Sequence, residues 1–254
     1  MLLARVIPVL LLSGRGLVKG ERFSGHRYLG DPINTVKIFD AKEVDELIIL
    51  DIDATREHRL PPLELVQQVA DQCLMPFGVG GGIRSVEDAR RILEAGAEKV
   101  CLNTHALENP DLVSAIARDF GCQSVCVSLD VKKNWFGKPE VRTRCGSKAV
   151  SKDPVETARR MEQAGAGEIM VHCVDRDGTM QGYDIPLIQS VARAVEIPVI
   201  AAGGAGTVQD LRQAIAEGGA SAAAAGAMFV FHGRRRAVLV SYPSKEELRE
   251  IRGE

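Results

Sequence analysis

Short apolar runs alternate with amphipathic stretches from one end of this chain to the other. Strands are predicted at 5–12, 46–52, 76–80, 98–103, 124–131, 167–173, 198–202 and 221–226. Most are unbroken apolar runs, the pattern of strands buried on both faces. Helical periodicity follows each of them, at about 32–43, 61–72, 86–95, 109–119, 153–164, 185–195, 208–217 and 245–252. Eight strand–helix units predict an α/β fold, a closed (β/α)8 barrel, over an open doubly wound sheet. A length of 254 residues suits one such barrel. No Pro/Ser linker or change of composition marks a boundary, so one domain over 1–254 is expected.

The pattern repeats within the chain. VGGGIRSVEDARRILEAGA (79–97) and AAGGAGTVQDLRQAIAEGGA (201–220) each carry a strand end, paired glycines, a Ser or Thr N-cap with an acid three residues on, and an amphipathic helix. The offset between Gly81 and Gly203 also relates Glu46 to Glu168 and Asp53 to Asp175. Two copies of such a unit predict a barrel made of two similar halves.

Composition narrows the class of function. The net charge is −2 and Lys and Arg are scattered, so no field favours nucleic acid or an anionic membrane. The run Arg234–Arg236 reads as a solvated patch. Six cysteines, at 73, 101, 122, 126, 145 and 173, form no CxxC pair. A zinc site is therefore not expected, and a reducing, cytoplasmic setting is. The apolar start is broken by Arg5 and Pro8 and reads as a strand, not a signal peptide. No stretch approaches the ~18 apolar residues of a membrane span.

Candidate chemistry gathers at the strand ends. Gly80–Gly82 and Gly203, Gly204 and Gly206 follow the third and seventh strands. Glycine lets backbone N–H groups approach an anion, and the next helix N-terminus favours it. Two symmetric clusters suggest a ligand with two phosphate ends; plain tight turns are the bland alternative. Asp130, near the end of the fifth strand, is a candidate general acid or base, or else a loop-capping carboxylate. Arg5, Glu46, Lys99 and Glu168 open the first, second, fourth and sixth strands, where unpaired charges would be costly. They can close a ring of salt bridges, either a stabilising plug or a gate to something docked beneath. The histidines form no metal set, and no role falls to His26, His58, His105, His172 or Trp135.

Several stretches together carry a family resemblance: VKG (18–20), GDPI (30–33), DEL (45–47), VGGGIRSVEDARR (79–91), AGAEKVCLNT (95–104), GAGEI (165–169), DRDGTMQGYD (175–184) and IPVIAAGGAG (197–206). The chain resembles the HisF family, the cyclase (lyase) subunit of imidazole glycerol phosphate synthase in histidine biosynthesis. The resemblance implies a barrel with a HisH-like glutaminase docked at its bottom. Ammonia would enter through a gate, matched here by Arg5, Glu46, Lys99 and Glu168, and travel inside the barrel. It implies phosphate contacts at Gly82, Asn103 and Thr104 for one end and Asp177, Gly178 and Gly204 for the other. No resident cofactor and no metal are implied.

The chain departs from the family where chemistry is expected. Of the family's two catalytic aspartates, Asp130 matches the second; the first is replaced by Leu11. Losing a positioned acid–base group costs roughly 10²–10⁴ in rate. Ala202 and Ala227 stand where the family commonly has serines, and 142–152 lacks its usual Lys-x-Thr-Gly pattern. The segments 30–54 and 229–244 are similar to the HisF-like WbuZ branch associated with surface-polysaccharide (lipopolysaccharide) biosynthesis. That likeness implies ammonia passing to a separate sugar amidotransferase that turns an acetamido into an acetamidino sugar. A cyclase relying on Asp130 alone, and a non-catalytic scaffold, are the alternatives.

Overall fold

The computed structural model describes residues 3–254. Its frame is eight parallel strands: β1 (Arg5–Ser13), β2 (Leu47–Asp51), β3 (Phe77–Gly80), β4 (Lys99–Leu102), β5 (Val125–Lys133), β6 (Glu168–Cys173), β7 (Val199–Ala202) and β8 (Ala222–Ala225). Each pairs with the next, and β8 pairs with β1 to close the barrel. Helices α1 (Pro32–Ala41), α2 (Leu63–Gln72), α3 (Val86–Glu94), α4 (Asp111–Phe120), α5 (Pro154–Gln163), α6 (Ile185–Ala192), α7 (Val208–Ala216) and α8 (Lys245–Arg252) follow in turn. The fold is a (β/α)8 barrel, as the alternation predicts.

Local chemistry sets the helix starts. Asp31, Asp153 and Asp184 cap α1, α5 and α6, each with a proline in the first turn. The two repeated N-caps differ in detail. Thr207 and Asp210 make a full reciprocal capping box on α7. Ser85 accepts from the Asp88 amide on α3, but the Asp88 carboxylate reaches back one residue further, to the amide of Arg84.

Alternate residues of each strand divide the interior into two cores. One lies between strands and helices and holds Val6, Leu10, Leu12, Leu47, Val127 and Val171 among many others. The second fills the barrel lumen with Ile7, Val9, Leu11, Ile48, Cys101, Cys126, Met170, Ile200, Ala202, Ala222 and Ala224. Strand β8 is four alanines, so only the small side chains of Ala222 and Ala224 enter the lumen from it. No helix among the described residues is long and apolar enough to cross a membrane.

Two hairpins not read from the sequence rise from the C-terminal face of the barrel. One is formed by Gly16–Glu21 and Ser24–Gly30, with the first strand pairing antiparallel to the end of β1. The other is the extension of β5 with Pro139–Thr143 and Lys148–Ser151. They follow the first strand of each half-barrel, so they are the same embellishment made twice. The segment 142–152 lies largely within the second hairpin.

Candidate active site

At the base of the barrel the four charged strand-start residues meet. Arg5 donates to both Glu46 and Glu168, and Lys99 bridges the same two acids, with Nζ 2.8 Å from Glu46 Oε1 and 2.7 Å from Glu168 Oε2. The result is a closed square of alternating sign. The Lys99–Glu46 side is an ion pair without an aligned hydrogen bond, leaving that oxygen electrostatically paired only. Burial works against the Lys99 charge, but Glu46 and Glu168 outweigh it and raise its pKa. Arg5 is the most exposed member, at 27% of its side chain, against 2–10% for the others.

The other end of the lumen opens into a cavity of about 830 Å3. Leu11 from β1, Leu50 and Asp51 from β2, Cys101 and Asn103 at the end of β4, Asp130 from β5 and His172 from β6 form its floor and walls. Asp130 and Leu11 therefore share one cavity, with no carboxylate from β1 beside it. Asp130 accepts a hydrogen bond from Ser128 Oγ at 2.9 Å, and its pKa is pushed up to about 6 by burial and by Asp177, against the pull of His172 and Ser128.

The predicted phosphate ligands divide in two. Gly82, Asn103 and Thr104 line the cavity together. Gly82 has φ +68, and a Cβ there would lie 1.9 Å from the Arg59 carbonyl oxygen, so only glycine fits this turn. Asn103 Nδ2 donates to the carbonyls of Ser128 and Arg142, and Thr104 Oγ1 accepts from the Arg144 amide, so both are already held in place. Asp177, Gly178 and Gly204 lie outside that cavity. A Cβ on Gly178 would meet the Gly20 carbonyl oxygen at 2.1 Å, and one on Gly204 the Gly182 carbonyl oxygen at 2.1 Å. The second glycine cluster thus packs main chain against main chain.

The Asp177 carboxylate accepts from Lys19 Nζ at 2.7 and 3.0 Å and lies 3.3 Å from His172 Nε2. Burial opposes its charge, yet Lys19 and His172 hold it well below the usual carboxylate range. Lys19 and Asp51 were not singled out by the sequence reading. Asp51 is buried, accepts from the amides of Asp53 and Ala54, and is paired with Arg59, whose own pKa it raises. Both residues carried a signal: Lys19 is the centre of the VKG motif, and Asp51 ends an apolar strand as Asp130 does. His26, His58 and His105 also line the cavity, while Trp135 sits fully exposed on the tip of the second hairpin. Among the described residues no group of three or more His, Cys, Asp or Glu could hold a metal ion.

Comparison with known proteins fixes the kinship of this arrangement. A profile of the family described as Histidine biosynthesis protein matches residues 5–235. The chain belongs to the histidine biosynthesis protein family. A protein of Pseudomonas aeruginosa, provisionally named imidazole glycerol phosphate synthase subunit hisF2, is 48% identical over 96% of this chain and 97% of its own length. A Vibrio vulnificus protein, provisionally named subunit hisF3, is 45% identical over 97% of this chain and 95% of its own. The imidazole glycerol phosphate synthase subunit HisF of Hyphomonas neptunium is 47% identical over 91% of both chains. Within the histidine biosynthesis protein family the chain is thus HisF-like.

Proposed function

We propose that this barrel is the ammonia-receiving subunit of a glutamine-dependent complex. A glutaminase docks at the bottom, ammonia passes the Arg5–Glu46–Lys99–Glu168 square, and the lumen delivers it to the upper cavity. The observation that carries the reading is the pairing of an intact charged square at one end with an Asp130 that no carboxylate from β1 faces at the other. Neutral ammonia crosses an apolar lumen with little loss of hydration compared with ammonium. The lining of Ile7, Ile48, Cys101, Met170 and Ala222 suits that cargo. The relatives are named as subunits of a synthase, which supports a partner at one face.

The finer reading is that the nitrogen goes on to a sugar amidotransferase, which converts an acetamido group into an acetamidino group in surface-polysaccharide assembly. Leu11 supports it, since a cyclase of the family's kind would miss one of its two aspartates. The second reading is a cyclase working through Asp130, and it is favoured by the raised pKa of that carboxyl and by the relatives' names. Affinity isolation from native cells separates the two when combined with turnover. Recovery of a glutaminase and a sugar amidotransferase supports the first. Ammonium-driven turnover of the histidine-pathway ribonucleotide by the purified barrel establishes the second and overturns the first.

A further inference from the structure

A buried histidine stands beside Asp130 in the cavity where the facing carboxylate is missing. His172 is the residue of β6 in direct register with Asp130 of β5. Both side chains point to the lumen and line the cavity, and both residues are buried. His172 Nδ1 lies 4.0 Å from Asp130 Oδ1, and Nε2 lies 3.3 Å from Asp177 Oδ1. The groups that face the ring are thus Asp130 from β5, Asp177 from the loop after β6, and Lys19 of the first hairpin behind Asp177. His26 of the same hairpin lies within the electrostatic reach of Lys19 and Asp177. The Phe23 ring meets the imidazole edge-on at 4.9 Å and closes its remaining side.

These contacts decide the tautomer. Asp177 is bound by Lys19 and remains ionised, so it offers only acceptors to the imidazole. The neutral ring must then place its proton on Nε2 and leave a lone pair on Nδ1, on the side of Asp130 and the cavity. A fixed carboxylate behind one nitrogen and a reactive group before the other is the arrangement that orients a histidine for proton transfer.

We infer that His172 and Asp130 form one acid–base pair at the head of the lumen, electrostatically coupled across 4.0 Å with the reacting group between them, and that this pair supplies the proton transfer that position 11 does not. The inference rests on the proposed arrival of ammonia in this cavity and on its reacting there, as in the second reading. In the form of the pair that reacts, Asp130 holds the proton and His172 Nδ1 is free. As ammonia adds to a polarised C=O or C=N carbon, its lone pair forms the N–C bond and the π pair moves onto the heteroatom. Asp130 gives its proton to that heteroatom, and the proton lost by nitrogen passes to His172 Nδ1. The pair is left as imidazolium and carboxylate, a neutral couple overall. Return of the proton from Nδ1 to Asp130, carried across the 4.0 Å gap by a cavity water, restores the starting state.

The test uses the full chain labelled with 15N-histidine and 13C-aspartate, with His172→Gln assigning the imidazole signals and Asp130→Asn the carboxyl signal. Long-range proton–nitrogen spectra across pH 4.5–9 read tautomer and titration together. The expected result is a neutral His172 protonated on Nε2, and the same two titration steps reported by the imidazole and by Asp130. Asp130→Asn should collapse these to one step displaced by about one pH unit. Asp177→Asn should release the tautomer to a mixture, and the wild-type tautomer, which needs no variant at Asp130, tests the pair even where a variant misfolds. A neutral ring protonated on Nδ1, or a His172 midpoint unmoved in Asp130→Asn, overturns the pair. The spectra need no partner or substrate, so their failure leaves ammonia passage standing. Failure of ammonia passage, tested on the complex, leaves the spectra unchanged.

Discussion

At the scale of single residues, the upper cavity turns on positions 11 and 130. Leu11 packs in the lumen cluster and is 7% exposed, so position 11 brings no titratable group to the site. Replacing Leu11 with Asp puts a second carboxylate opposite Asp130. If the remaining geometry serves cyclase chemistry, ammonium-dependent turnover of the histidine-pathway ribonucleotide rises by about 10²-fold or more over wild type. Asp130 makes a prediction for stability. Its carboxyl is held at about 6 instead of the ordinary 3.8, so the folded state favours its protonated form. That contribution is complete below pH 3.8 and is lost as pH rises through 6. Ionising the buried group then costs on the order of 3 kcal/mol. Thermal melts should show Asp130→Asn gaining Tm relative to wild type between pH 5 and pH 8. An equal Tm difference at both pH values would contradict the buried, raised carboxyl.

At the scale of elements, the strand–helix alternation was legible because parallel strands are apolar on both faces and carry no competing pattern. The repeated glycine–cap–helix units were legible for the same reason, as local rules act identically on both copies. The two hairpins were not. Their strands are polar and mostly exposed, as in Ser24–Gly30, so periodicity had nothing apolar to follow. Asp177 accepts from Lys19, a residue of a hairpin the sequence did not announce. The last element, α8, ties the chain ends together at the base of the barrel. Arg252 Nη2 donates to both Asp45 oxygens at 2.7 and 2.9 Å, Asp45 accepts from the Val6 amide, and Tyr242 donates to the Val6 carbonyl. Burial and Asp45 raise the Tyr242 pKa, keeping the phenol a donor. Arg252→Ala should cost about 1.5–3 kcal/mol in urea unfolding, the range for hydrogen bonds to charged groups. A loss under a few tenths would show that α8 is peripheral.

At the scale of the molecule, one end carries the charged square and the other opens into the cavity lined by Asp130, with an apolar lumen between them. The square of Arg5, Glu46, Lys99 and Glu168 was predicted from strand-start positions in the sequence, and the barrel brings all four into contact. Removing one member strands a buried charge. Glu168→Ala should lower stability by about 3–5 kcal/mol, whereas Arg5→Ala, at the more exposed corner, should cost less. A chemical denaturation series reads both, and equal losses would mean the square is not organised by burial.

The most direct measurement follows the nitrogen itself. The native complex, isolated with its glutaminase, is given glutamine labelled with 15N in the side-chain amide together with an excess of unlabelled ammonium, and the label in the nitrogen-containing product is counted. Passage through the barrel predicts that wild type keeps most of the label and that Lys99→Ala loses it to the bulk pool. Label diluted to the bulk ratio in wild type, or retained equally by both proteins, would contradict an internal route for ammonia.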